Sequence, residues 1–513
     1  MIVVLHNENR LVSLTVDGVK NCSFDSELLT HVIPKLVSQF PSDLLIWCHQ
    51  SVVSNVDWEN IANLFNHDRK FLSYLPDVNF FSDFIGYVDE SIFIKVNKEV
   101  TFPTWQMSGY VGGISTSVLT QVDSSLWETE NFDFAINSIA KVYQQKGLFC
   151  YSEPRLLRNK ILTLTYPRAT NVELFLFVAK NYKWVWKYIL LFDLLIYEKK
   201  LMLLPWLFSL LKNQMKVDSF NLIFENNCKT VDFISETIDV IIPTIGRKMY
   251  LYDVLKDLSV QTHLPNNVII VEQNPDEESV SELDYLHTES WPFSIQHIFT
   301  HQIGACQARN KALEKIKSEW CFFADDDIRF DKNLLYATIY YANKLQSEVL
   351  NLSCLRVNDI KTMKTITQWS AFGSGCSFVK SYIIKGLKFN SVYEFGFGED
   401  TDFGMQIRNK GYDVIYLPEP DILHLKAPMG GFRTKPVLEW HNEKLAPKPS
   451  PTIMLFLIMH NTIQQLRGYK TVLFFKYYKL QSIRNPWVYY ITFKKQWQVS
   501  MKWAQILLRR YEV

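Results

Sequence analysis

Three consecutive carboxylates, Asp325-Asp326-Asp327, follow the apolar run Trp320-Cys321-Phe322-Phe323-Ala324 with no turn residue between. A short apolar run bounded by polar residues predicts a strand buried on both faces. Carboxylates at the carboxyl end of such a strand lie where open α/β sheets bind ligands. Hard oxygen ligands there suit Mg2+ or Mn2+, and such an ion suits a diphosphate. Taken alone, three aspartates also describe a solvated acidic turn ahead of a helix. Two further groups bear on the choice. Glu399-Asp400 opens a segment that runs through Ile407 and stops at Lys410-Gly411. Asp400 then sits near a helix N-terminus, where the macrodipole favours its ionised form, or it is simply part of an N-cap pair. His424, in the run Ile422-Leu423-His424-Leu425, reads as a metal ligand or as a satisfied strand-end histidine.

The surrounding pattern predicts the elements that must hold these groups. Ile238-Asp239-Val240-Ile241-Ile242-Pro243-Thr244 is a β-rich run closed by proline. Lys248 to Thr262 is an amphipathic helix with Leu251, Val254, Leu255 and Leu258 on one stripe. Val268 to Glu272 and Ser294 to Thr300 are further strands. Gly304 opens a helix with Ala308, Ala312, Leu313 and Ile316 inward. Val414 to Leu417 and Ile422 to Leu425 are two more strands. Strand–helix alternation at this spacing implies a largely parallel, doubly wound α/β sheet. Thr244, Glu272 and the aspartates would gather along one of its edges.

From about Ile238 to Phe432 the chain resembles family 2 glycosyltransferases of the GT-A fold. The matching pieces, in order, are IDVIIPTIGR, LYDVLKDLSVQTHLPNNVIIVEQ, GACQARNKALEKIKSEWCFFADDD, FGSGCSFV and FGFGEDTDFGMQIRNKGYDVIYLPEPDILHL. The resemblance implies a Rossmann-like nucleotide-diphospho-sugar transferase, a nucleotide-sugar donor (a UDP-sugar), a divalent cation and inversion at the anomeric carbon. It places Pro243, Thr244, Glu272 and Gln273 on the nucleotide base and ribose, although the family usually has a second acid where Gln273 stands. Gly304 and Arg309 fall on the segment beside the nucleotide and its phosphates. Asp325 falls on the donor ribose and metal, Asp326 beside the donor, and Asp327 and His424 on the metal, Mn2+ or Mg2+. Asp400 becomes the general base and Glu399 an acceptor contact. Gly373 and Gly375 would let backbone approach an acceptor sugar closely. Lys426 and Arg433, around Gly430-Gly431, would clamp the diphosphate or be a solvated basic loop. Two rivals remain. A sugar nucleotidyltransferase would show a basic Gly-rich loop where Thr244-Ile245-Gly246-Arg247 stands. A glycan-binding or scaffold protein would have lost the acids.

At 513 residues the chain exceeds one core, and 48% hydrophobic content at net charge +1 describes a foldable protein. Its eight scattered cysteines show no zinc spacing and read as reduced thiols of a cytoplasmic protein. The run Met1 to His6 reads as too short, and too poor in basic residues, for a secretory signal. The expected division is an N-terminal α/β domain (1–165), a helical linker (166–235), the catalytic GT-A domain (236–440) and a basic aromatic helical tail (441–513). Within the first domain, ENFDFAINSIAKVYQQKGLFCYSEPRLL from Glu130 aligns with EDTDFGMQIRNKGYDVIYLPEPDIL from Glu399. WQMSGYVGGISTSVL similarly resembles WSAFGSGCSFV. Either the first domain is a degenerate GT-A-like copy with Asn131 in place of the base, or two helix–strand units are alike by chance. Lys180, Lys183, Lys187, Asp193, Glu198 and Lys199 interrupt every apolar window of the linker long enough to span a bilayer, so the segment reads as helical hairpins that lie on a membrane surface or pack between the domains. From Thr452 onward ten Lys/Arg face one acid, among many aromatics. That composition suits an anionic membrane surface, or a solvated basic face on packed helices. No nucleic-acid module is visible. The expected acceptor is a glycan or lipid-linked glycan at the inner face of a membrane.

Overall fold

The computed structural model describes residues 1–21, 26–159, 166–212, 214, 222–224, 235–427 and 437–511. The chain forms two compact units, Met1–Asn227 with His460–Ser482, and Cys228–Met459 with Ile483–Val513. The helices Asn171–Asn181, Trp186–Glu198 and Leu203–Leu210 thus belong to the first unit, and the basic C-terminal segment is shared between the two.

In the second unit the strands are β9 (Ile238–Thr244), β10 (Asn267–Gln273), β11 (Ser294–Thr300), β12 (Trp320–Ala324), β13 (Ile328–Phe330), β14 (Val349–Leu355), β15 (Thr367–Gln368), β16 (Cys376–Lys380) and β17 (Ile415–His424). The sheet order is β11-β10-β9-β12-β16-β14-β17-β13, with β15 paired to β17. Strands β11, β10, β9 and β12 are parallel, as the alternation with helices requires. Beyond β12 the sheet is mixed: β16 runs antiparallel to both β12 and β14, and β17 parallel to β14. The expected α/β class holds, with an unbroken parallel run only from β11 to β12.

Burial explains the elements. All five residues of β12 are buried, and Leu251, Val254, Leu255 and Leu258 form the buried stripe of the Lys248–Ser259 helix. Each such side chain contributes roughly 1.5–3 kcal/mol when removed from water. The buried Asp239 carboxylate of β9 accepts from the Lys317 and Ser318 amides, the Ser318 hydroxyl and Asn267 Nδ2, tying strand ends together. Under β12 an aromatic cluster joins Phe323, Phe372, Phe389 and Phe403, the last two stacked at 4.1 Å. Because Phe403 belongs to the helix Glu399–Asn409, this cluster fixes that helix against the strand that carries the aspartates. The helix expected through Ile316 ends at Leu313. The two strands expected around Pro418 and Pro420 are one, β17, with a register shift opposite Leu352/Ser353 of β14.

The first unit holds β1 (Ile2–Asn7), β2 (Arg10–Val16), β3 (Val19–Asn21), β4 (Leu44–His49), β5 (Lys70–Tyr74), β6 (Phe102–Pro103), β7 (Val111–Ser115) and β8 (Phe149–Ser152), in the order β3-β2-β1-β4-β7-β5-β8-β6. Five of them reproduce the strand senses of the second unit. β1 is parallel to β4 as β9 is to β12, and β4 antiparallel to β7 as β12 is to β16. β7 is antiparallel to β5 as β16 is to β14, and β5 parallel to β8 as β14 is to β17. The helix Phe132–Tyr143 precedes β8 as Glu399–Asn409 precedes β17. The first half differs: β1 pairs with the antiparallel hairpin β2–β3, where β9 pairs with the parallel β10.

Candidate functional site

The three aspartates leave β12 in different directions. Asp326 turns inward and is 2% exposed. Its carboxylate accepts from the Thr244 hydroxyl at 2.6 Å and from Arg247 Nη1 at 2.5 Å. Burial pushes Asp326 up to about 6, against the pull of Arg247 and Thr244. Asp327 is also buried; Arg247 Nη1 lies 3.3 Å from Oδ2, the Ala427 amide donates to Oδ2 at 2.8 Å, and His424 Nε2 lies 3.3 Å from Oδ1. Burial would raise Asp327, but these hydrogen bonds and charges leave it lowered, and the same bond to Asp327 raises His424. Asp325 has the most exposed side chain of the three, at 33%, and accepts from Arg309 Nη2 at 3.1 Å.

A single turn joins Asp325 to Asp400. The Ser374 amide donates to Asp400 Oδ2 at 3.3 Å, while a Cβ on the next residue, Gly375, would stand 2.2 Å from Asp325 Oδ2. Gly373 donates its amide to Asn351 Oδ1 at 2.8 Å, and a Cβ there would meet Cys376 Sγ at 2.7 Å and Asn351 Oδ1 at 2.9 Å. The close approaches that these glycines allow are therefore to Asp325 and Asn351. Asp400 Oδ1 is buried and has no hydrogen-bond partner. Burial raises Asp400, against the Arg309 charge and the Ser374 amide. Burial, and then the like charge of Asp400, push Glu399 up to about 7. Two adjacent, half-buried acids of this kind are costly to ionise together.

The remaining expected donor residues are held within the fold. Pro243 and Thr244 end β9 beside β10. Glu272 accepts from the Ser281 hydroxyl at 2.6 Å and the Glu282 amide at 3.2 Å, with His297 Nε2 at 2.9 Å. Burial would raise it, but these bonds leave it lowered. Gln273 donates to the carbonyls of Gln302 and Gly304, both at 2.9 Å. Gly304, at φ +139°, precedes the helix Ala305–Leu313; a Cβ there would lie 2.4 Å from Glu394 Cδ. Glu394 accepts from the amides of Cys306 and Gln307 at 3.2 and 3.1 Å, so a carboxylate already sits on this helix N-terminus. Glu394 and Arg247 are the site residues that the sequence pattern did not single out. Lys426 is described at φ +57°. Gly430, Gly431 and Arg433 lie outside the described residues.

In donor type, two carboxylates and an imidazole suit Mn2+ or Mg2+. Asp327 and His424 are adjacent, whereas Asp325 is turned to Arg309. Among the described residues no three His, Cys, Asp or Glu side chains converge as a metal cluster.

In the first unit His49 and Tyr110 come one residue beyond the last β4–β7 pair, Cys48 with Val111, as Asp325 and Gly375 come one residue beyond the last β12–β16 pair, Ala324 with Cys376. The two rings stack, centroids 6.0 Å apart at 16°. His49 Nε2 lies 3.1 Å from Asn7 Oδ1, and Tyr166 crosses Tyr110 edge-on at 5.6 Å. Asn131 caps the helix Phe132–Tyr143 by accepting from the Phe134 amide.

Residues 239–389 match the family model "Glycosyl transferase family 2". An uncharacterized glycosyltransferase of Haemophilus influenzae is 33% identical over 90 residues, 18% of this chain and 29% of that protein. The match thus spans less than a third of that relative's length. The crystal structure of S. aureus TarS 1–349 in complex with UDP-GlcNAc is similar at TM-score 0.38 and 15% identity, over 50% of this chain and 79% of that one. TarS 1–349 on its own gives TM-score 0.32 and 18% identity, over 37% and 60%. GalNAc-T7 with UDP, GalNAc and Mn2+ gives TM-score 0.31 and 12% identity, over 37% and 44%.

Proposed function

We propose that the second unit, which carries a glycosyl transferase family 2 domain at residues 239–389, moves a sugar from a nucleotide-diphosphate donor to an acceptor hydroxyl with inversion. The observation that carries the reading is the Ser374-Gly375 turn. It touches Asp400 with one residue and crowds Asp325 with the next, which supports reading the pair as base and donor carboxylate.

Each part has a chemical task. A sugar hydroxyl is a poor nucleophile, so Asp400 Oδ1, buried and unpartnered, takes its proton as the oxygen attacks the anomeric carbon. The bond from that carbon to the diphosphate oxygen breaks in the same displacement, and no enzyme nucleophile intervenes. Asp327 and His424, with Asp325, would hold Mn2+ or Mg2+, which when bound neutralises charge on the diphosphate. Arg247 and Arg309 hold the aspartates in place. Thr244, Glu272, Gln273 and Asp326 shape the donor side from within the fold rather than by open contacts, and Glu399 faces the acceptor. The donor is a UDP-sugar and the acceptor a glycan or lipid-linked glycan. The first unit is a retired copy of the same fold, its edge filled by His49 and Tyr110.

Calorimetric titration with UDP and other nucleoside diphosphates, with Mn2+ and with chelator, tests the reading. One metal-dependent site per chain, lost in Asp327→Ala, is expected. A folded protein that binds no nucleotide would overturn it. Two sites per chain would overturn the retirement of the first unit.

A further inference from the structure

Two helices of the first unit are built inside out. In Trp186–Glu198 the buried residues are Lys187, Leu190, Asp193 and Leu194. Tyr188, Phe192, Leu195 and Ile196 of the same helix are 40–45% exposed. In Leu203–Leu210 the only buried residue is Ser209, while Leu204, Leu207 and Phe208 are 69%, 48% and 54% exposed. A helix facing water turns its leucines inward and its charges outward. Inside, Asp193 Oδ1 accepts from the Thr471 hydroxyl at 2.6 Å while its Oδ2 is buried without a partner, and Lys187 Nζ reaches the Ser209 carbonyl at 3.5 Å. Such an arrangement suits an outer face that meets hydrocarbon.

The charge around this face names its partner. The exposed charged residues between 183 and 212 are Lys183, Lys199, Lys200 and Lys212, all cations. The two acids of that stretch are withdrawn: Asp193 is buried, and Glu198 accepts from Tyr87 and Arg467. The neighbouring helix Ile463–Tyr478 adds Phe475, 5.8 Å from Phe192, and the exposed Lys476. Trp184, 69% exposed, stands at the start of the first helix, a position that suits the headgroup level. Helices of 13 and 8 residues extend only about 20 and 12 Å, short of the ~30 Å hydrocarbon core. Among the described residues no helix is long and apolar enough to cross a membrane. These two helices are too short to cross a bilayer.

We propose that the Trp186–Glu198 and Leu203–Leu210 helices dock the protein on an anionic lipid bilayer, apolar face in and lysines on the headgroups. A second copy of the chain is the other candidate occupant. A two-fold contact through this patch would set its lysines against themselves, which disfavours it. The Pro486–Tyr511 helix is a weaker anchor, because Tyr489, Phe493 and Trp497 face inward. The proposal is independent of the transfer chemistry.

Sedimentation of the full chain with vesicles of equimolar phosphatidylcholine and phosphatidylglycerol, beside phosphatidylcholine alone, tests it. Binding to the anionic vesicles should be about tenfold tighter and should weaken with salt. The triple variant Leu204→Ser, Leu207→Ser, Phe208→Ser should lose about tenfold or more in binding to both vesicles. Lys199→Gln with Lys200→Gln should lower only the anionic preference. Melting temperature and nucleotide titration report separately on folding and on the donor site, and both should match the parent in these variants. No binding to either vesicle, or equal binding by the triple variant, would overturn the proposal. So would light scattering that shows a dimer which the triple variant abolishes, since the patch would then join two copies.

Discussion

Gly375 stands against Asp325 so closely that a Cβ would lie 2.2 Å from the carboxylate oxygen Oδ2. Glycine is needed here for space, since no positive φ is recorded for it. Gly375→Ala must therefore displace Asp325 from Arg309. The expected result is a folded protein whose Mn2+-dependent nucleotide affinity falls by about tenfold or more, roughly 1.4 kcal/mol. Calorimetry gives the affinity and circular dichroism checks the fold. An unchanged affinity would remove Asp325 from the donor site.

Arg247 answers two buried carboxylates, Asp326 and Asp327, while its own side chain is 12% exposed. Removing one partner of a buried ion pair typically costs about 3–5 kcal/mol, because the other charge stays buried. Arg247→Met should destabilise the protein on that scale in urea unfolding. Adding Asp326→Asn should restore part of the loss, with a coupling of about 1 kcal/mol or more in the double-mutant cycle. Additive effects would mean that Arg247 stabilises through packing alone.

Asp400 Oδ1 is buried without a partner, as a base awaiting a hydroxyl proton would be. Asp400→Asn keeps an acceptor for the Ser374 amide, so the donor site should hold its affinity within about twofold while turnover falls by about 10²–10⁴. Glu399→Gln should raise the acceptor KM more than it lowers kcat. Steady-state kinetics beside nucleotide titration separates these outcomes. Loss of nucleotide binding in Asp400→Asn would reassign that residue to the donor.

What the sequence made legible was local. The run from Trp320 to Ala324 is buried at every position, so its pattern alone located the aspartates that follow. The stripe of the Lys248–Ser259 helix was equally readable from its spacing. Arg247 and Glu394 were not, because they meet their partners across 79 and 88 residues, and no periodicity encodes such a pairing. Pro418 and Pro420 looked like a break, yet β17 runs through them at a register shift against β14. In the helices from Asn171 to Leu210, lysines and acids read as interruptions of apolar windows. Their inward or outward placement depends on which face packs, and hydropathy alone does not report that.

Asp133 and His6 make opposite demands on the first unit. Asp133 is 3% exposed; its carboxylate accepts from the Gly109 amide at 2.7 Å and the Tyr166 hydroxyl at 2.8 Å. Burial pushes it from 3.8 up to about 6. Between those values the unfolded chain has released this proton and the folded chain keeps it. Stability therefore falls as pH rises through that window, by about 3 kcal/mol in all, and levels off above it. His6, whose Nε2 lies 2.6 Å from the Gly109 carbonyl, is lowered by burial from 6.5 to about 4. There the unfolded chain binds the extra proton, so stability rises with pH over nearly the same range. In the parent protein the two slopes offset each other. Asp133→Asn removes the falling one and keeps an oxygen for the Gly109 amide. Its unfolding free energy should therefore climb, relative to the parent, from pH about 4 to about 6. Urea unfolding of both proteins at successive pH values gives that difference directly. A flat difference would mean that Asp133 is ionised in the folded state throughout.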